Sequence, residues 1–145
     1  MSSEPVPDQR HHRIVVQSDF AALERVVEGV DAFARESGAD EDLAYRVVLL
    51  TTEAVTNAIE HGNALDPSKS VSVDLHSDGD EIEVIVRDEG GGFNLKTLRD
   101  PLAEENLLNE GGRGIFLIRT MADAYSFGQD GREVRIVFNL PPHHR

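Results

Sequence analysis

Apolar positions recur at helical spacing in the first part of the chain and every second residue in later stretches. Phe20, Leu23, Val26, Val27, Val30 and Phe33 form a stripe. It predicts an amphipathic helix from Phe20 to about Glu36, capped at Ser18-Asp19 and ended by Gly38. Val47, Val48, Ala54, Val55, Ala58 and Ile59 form the apolar side of a second helix, which Asp40 opens and Gly62-Asn63 stops after about Glu60. Arg13–Gln17 is a short β-rich run. Ser70–Ser77 and Glu81–Asp88 alternate as strands, with Asp78-Gly79 as their turn. A third helix is expected from Gly114 to about Ala124. Tyr125–Phe127 and Glu133–Leu140 then close the chain as a hairpin turned at Asp130-Gly131.

The order β-α-α-β-β-loop-α-β-β implies an α/β (α+β) two-layer sandwich, with a mixed, mainly antiparallel sheet and helices on one face. Residues 1–12 lack periodicity and are expected to be a flexible tail, 13–140 a single domain, and 141–145 a second flexible tail. The stretch from Gly90 to Gly112 is too long for an ordinary connection in so small a domain, so it reads as a lid or binding loop.

Composition narrows the function. With 14 basic and 27 acidic residues the net charge is −13, a surface that repels phosphate backbones and suits basic protein partners or plain solubility. Direct nucleic-acid binding is not expected. The absence of cysteine excludes disulfides and thiolate chemistry, in keeping with a reducing cytoplasm. No signal-like start or membrane-length apolar run stands in the sequence, so a soluble cytoplasmic protein is expected. The His11-His12 pair has no third ligand nearby and is weak evidence for a metal.

Three groups of residues carry candidate chemistry. Glu53, Asn57 and His61 are spaced four apart on the second helix and share a face. This is either a solvated polar stripe or a site in which the Asn57 oxygen holds Mg²⁺ while Glu53 polarises a hydroxyl or water. Asp88 falls on the same strand face as Ile82, Val84 and Val86 and precedes Gly90, Gly91 and Gly92. It either opens a glycine turn or accepts a hydrogen bond from the exocyclic amine of an adenine. Gly112, Arg113 and Gly114 begin the third helix. They serve as a hinge or, through free N–H groups and the helix dipole, as a phosphate cradle. No Gly-Lys-Ser/Thr follows, so this is not a P-loop.

Together, in this order, the three motifs resemble the Bergerat-type ATP-binding fold over about residues 12–140. Within that superfamily, Glu53 to Gly62 and Gly112 to Asp123 are most similar to the bacterial anti-sigma serine kinases of the SpoIIAB and RsbW type. The resemblance implies ATP and Mg²⁺ as cofactors and Glu53 as catalytic base. It makes Asn57 the metal ligand, Asp88 the adenine acceptor, Gly90 and Gly92 the adenine-side turn, and Gly112, Arg113 and Gly114 the phosphate contacts. It further implies a serine/threonine-protein kinase that acts on a STAS-type anti-anti-sigma protein and holds a sigma factor inactive as a homodimer.

Two features depart from the family pattern. Gly131-Arg132-Glu133 replaces the Gly-Thr pair of many members, and Leu95 to Glu110 contains only Lys96 and Arg99 as cations. These leave two further readings beside the kinase: a nucleotide-gated binding module without turnover, and a detached histidine-kinase catalytic domain acting in trans. The run Gly112-Arg113-Gly114-Ile115-Phe116-Leu117-Ile118 argues against the last.

Overall fold

The computed structural model describes residues 9–90, 112–128 and 132–141, with the backbone alone at Gly112 and Arg113. The expected lid, Leu95 to Glu110, the glycines Gly91 and Gly92, and the expected turn Asp130-Gly131 lie outside the described residues.

Strand β1 (Arg10–Gln17) leads through a short 3-10 turn (Phe20–Ala22) into α1 (Leu23–Glu36), followed by α2 (Glu41–Asn57) and a π-type turn (Ala58–Gly62). Strands β2 (Ser70–Ser77) and β3 (Glu81–Asp88) come next, then α3 (Gly112–Met121), β4 (Ala124–Gly128) and β5 (Glu133–Asn139). Strand β1 begins at Arg10, three residues before the expected start, so the expected tail is shorter than 12 residues. Backbone pairing of Arg10, His11 and His12 with Ser77, His76 and Leu75 extends the edge strand. That pairing leaves no hydrophobic alternation to read in sequence.

The five strands lie in the order β1-β2-β3-β5-β4. Each of the four ladders is antiparallel, which corrects the expectation of a mixed sheet. The reason is topological. Two helices separate β1 from β2, so the chain re-enters the sheet in the opposite sense. The crossover from β3 through α3 gives β4 the same sense as β3, but β5 is inserted between them.

Alternation sorts the sheet into two faces. Val71, Val73 and Leu75, with Ile82, Val84 and Val86 and with Val134, Ile136 and Phe138, are buried beneath the helices. Each such side chain contributes about 1.5–3 kcal/mol on burial. Val26, Val30, Phe33, Leu43, Val47, Leu50 and Val55 cover them from the helical layer. Phe20 and Val27, expected in the apolar stripe, are instead 43% and 36% exposed. Phe20 sits in the 3-10 turn, out of phase with the helix, and Val27 lies a 100° step beyond Val26. The opposite face of the sheet carries ion pairs: Arg87 joins Asp74 and Glu133, Arg13 joins Asp74, and Arg135 joins Glu83.

Candidate functional site

Helix α2 is the spine of the site. The Asp40 side chain accepts from Leu43 N at 2.8 Å, and Glu41 and Asp42 in the first turn suit the positive end of the dipole. Near its far end, Glu53 is half-buried and Asn57 is only 5% exposed. No partner is found for Asn57 Nδ2 among the described residues. A buried carboxamide with an unmet donor is costly in a finished core, and it is the kind of group that a ligand completes. Its oxygen is a hard donor of the sort Mg²⁺ takes.

The start of α3 meets these two side chains. A Cβ placed on Gly114 would lie 2.8 Å from Asn57 Nδ2 and 3.1 Å from Glu53 Oε1. Glycine is therefore what allows the helix end to approach them, and the free N–H groups of the first turn of α3 lie at the same end of that helix. The structure thus brings Glu53, Asn57 and Gly114 together, as the sequence suggested. His61, expected on the same face, falls in the π-type turn and is half-buried, with Nε2 3.5 Å from Glu60 Oε1.

Asp88 ends β3 on the core face. Its Oδ1 accepts from Gly90 N at 2.9 Å, and its own N–H donates to the Arg132 carbonyl at 3.0 Å. Burial pushes its carboxyl above the usual carboxylate range, against the smaller opposing effects of the Gly90 N–H and the Arg132 and Lys69 charges. The carboxylate packs onto the end of α2: a Cβ on Gly62 would lie 2.3 Å from Asp88 Oδ2. Gly90 approaches the Gly62 carbonyl still more closely. A carboxylate kept half-buried at this cost, beside backbone that only glycine permits, is suited to reading a polar ligand.

Asn63 belongs to the same region, although its sequence position shows it only as a helix stop. It is fully buried, donates through Nδ2 to Ser18 Oγ at 2.6 Å and to Ser70 O at 2.9 Å, and accepts from Glu89 N at 2.9 Å. The only advance signal is an amide next to a helix-ending glycine. Of the last hairpin, Arg132 serves Asp88 through its carbonyl, while the Glu133 carboxylate turns to Arg87 on the outer face.

A family model described as a histidine kinase-like ATPase domain matches residues 16–138. The chain is 28% identical over 130 residues to a serine-protein kinase RsbW of Halalkalibacterium halodurans, covering 86% of this chain and 78% of that protein. It is 30% identical over 138 residues to an anti-sigma F factor of Anoxybacillus flavithermus, covering 92% and 93%. A solved structure of RsbU and RsbW domains from Mycobacterium tuberculosis superposes with a TM-score of 0.60 at 20% identity. That likeness, one of fold, covers 90% of this chain but only 32% of the other.

Proposed function

The chain belongs to the histidine kinase-like ATPase domain family as an RsbW-type member, and from that premise we propose that it is an ATP-dependent serine/threonine-protein kinase and anti-sigma factor. It phosphorylates a serine on a STAS-type anti-anti-sigma protein and sequesters a sigma factor, working as a cytoplasmic homodimer. The observation that carries this reading is the convergence of Glu53 and Asn57 with Gly114 at the start of α3, on the same helix whose end receives Asp88.

Asp88 accepts from the 6-amino group of adenine, where guanine carries a carbonyl, with Gly90 and Gly92 as the adenine-side turn. Asn57 holds Mg²⁺ through its oxygen. Gly112, Arg113 and Gly114 face the phosphates, Arg113 adding positive charge. Bound Mg-ATP supplies the phosphoryl group and the charge that stabilises its departure from ADP. Glu53 takes the proton of the acceptor serine hydroxyl on a carboxylate oxygen.

Incubation of the chain with labelled ATP, Mg²⁺ and a STAS-type protein tests the proposal, with label on serine as the expected result. One feature favours a second reading: the last hairpin has Gly131-Arg132-Glu133 in place of the family's Gly-Thr pair, and the Glu133 carboxylate is engaged by Arg87 on the outer face. Nucleotide-dependent capture of a sigma factor without any transfer would make the chain a binding module.

A further inference from the structure

Asn63 closes a ring of hydrogen bonds around the exit of β3. Its Nδ2 donates to the Ser70 carbonyl at 2.9 Å, Ser70 N donates to the Glu89 carboxylate at 2.7 Å, and Glu89 N donates back to Asn63 Oδ1 at 2.9 Å. The neighbours fix the orientation of the amide, because a flipped carboxamide would set its donors against the Glu89 N–H and its oxygen against the Ser70 oxygen. The ring joins the end of the π-type turn that follows α2, the start of β2 and the residue just after β3. Ser18, just after β1, holds the second Nδ2 proton at 2.6 Å. The Asn63 backbone is committed as well: its N–H donates to the Ala58 carbonyl at 2.8 Å, closing the π-type turn. One residue therefore sets both the end of the helix and the path of the strand beside it.

Asp88 lies between those two elements. Its carboxylate rests over Gly62, one residue before Asn63, and Glu89, whose N–H Asn63 holds, is the next residue after it. Gly90 N then donates to Asp88 Oδ1, which fixes the carboxylate plane against the same turn. A displacement of Glu89 relative to the helix end must move this carboxylate, since Gly62 and Gly90 leave it no slack.

We infer that Asn63 is a positioning residue for nucleotide-base recognition: through Glu89 N it holds Asp88 at the angle and depth needed to accept from adenine. The inference rests on the reading of Asp88 as the adenine acceptor. It separates base recognition from phosphoryl transfer, because Glu53 and Asn57 sit further back on α2 and are untouched by the ring.

The test measures ATP and GTP affinity by calorimetry, and KM and kcat for transfer, on the full chain. Asn63→Ala should weaken ATP binding by roughly tenfold, the cost of about one well-made buried hydrogen bond. It should shrink the ATP-over-GTP preference and raise KM while leaving kcat at saturating ATP nearly unchanged. Ser18→Ala, which leaves the ring intact, should retain the ATP-over-GTP preference. If Asn63→Ala fails to fold, Asn63→Asp replaces it: one oxygen still accepts from Glu89 N, no donor remains for Ser70 O, and the same loss of base preference is expected. Wild-type preference in either folded variant, or a fall in kcat with preference intact, overturns the inference. Asp88→Asn tells the two levels apart. If it erases base preference while the Asn63 variants do not, only the positioning role fails; if it leaves preference unchanged, the reading of Asp88 itself fails.

Discussion

Gly90 packs against the carbonyl of Gly62 so tightly that a Cβ on Gly90 would lie 1.4 Å from that oxygen. Gly114 is tight too, but against side-chain ends, at 2.8 Å from Asn57 Nδ2 and 3.1 Å from Glu53 Oε1. The same glycine-to-alanine change should therefore fail in two ways. At Gly90 the obstacle is backbone, which cannot rotate away, so Gly90→Ala should cost about 3 kcal/mol or more, the upper range for overpacking. At Gly114 the side chains can swing aside, so Gly114→Ala should remain folded within about 1 kcal/mol. It should nevertheless lose phosphotransfer by at least about tenfold, since small misplacements of reacting groups are expensive. Urea unfolding beside a transfer assay checks both, and equal stability losses would contradict the distinction.

Asp88 should trade stability for recognition. Burial raises its carboxyl above the ordinary value, so the folded chain holds this proton to higher pH than the unfolded chain does. Its contribution to stability therefore falls as pH rises from the ordinary carboxylate value through the raised one, above which the burial cost is fully present. Asp88→Asn removes the charge and keeps an oxygen for Gly90 N, so the nucleotide-free variant should melt at a higher temperature than the wild type at pH 7. The gap should narrow toward acid pH. The same variant should lose ATP and ADP affinity by about 10- to 150-fold, from a charged hydrogen bond of roughly 1.5–3 kcal/mol. Thermal melts across pH and calorimetric titration supply both halves; a variant that melts lower at pH 7 would contradict the burial argument.

Much of this arrangement is legible in local pattern. Asp88 shares its face with Ile82, Val84 and Val86 in the strand as in the sequence, because a period of two survives whatever packs above it. The second helix was legible until Asn57, beyond which the chain continues as the π-type turn that holds His61. Such a turn is closed by tertiary bonds, here Asn63 N to the Ala58 carbonyl, and propensity does not announce it. Strand order was hidden for a similar reason. The insertion of β5 between β3 and β4 depends on pairing between segments far apart in the chain, which no local period records. The ring around Asn63 likewise draws on residues from Ser18 to Glu89.

The charged outer face of the sheet should matter little for nucleotide binding. Arg87 reaches Asp74 at 2.8 Å and Glu133 at 2.7 Å, but it is 43% exposed and lies on the face away from Glu53 and Asn57. Solvent screening limits such pairs, and Asp74 retains Arg13 at 3.3 Å when Arg87 is removed. Arg87→Met should therefore destabilise by at most about 1 kcal/mol, less in high salt, with ATP affinity unchanged. Denaturation at two ionic strengths measures the first effect. A large loss of ATP affinity would mean that the outer face controls Asp88 through β3.

Glu53 and Asn57 stand one turn apart and both adjoin Gly114, yet their substitutions should be separable. In the proposed mechanism Glu53 acts on the acceptor hydroxyl, so Glu53→Gln should bind Mg-ATP and protein partners normally while transfer falls by about 10²–10⁴-fold, the usual contribution of a general base. The glutamine keeps the shape of the half-buried side chain, so any loss reports on charge rather than packing. In the same proposal Asn57 acts on the metal, and its deletion removes a buried carboxamide whose Nδ2 has no partner among the described residues. Asn57→Ala should therefore abolish the Mg²⁺ dependence of ATP binding together with transfer, at little cost in nucleotide-free stability, since no protein hydrogen bond from Nδ2 is lost. Titrations with and without Mg²⁺, set beside a phosphoacceptor assay, distinguish the two. Wild-type transfer by Glu53→Gln would remove that residue from the chemistry, and Mg²⁺-dependent binding retained by Asn57→Ala would place the metal elsewhere.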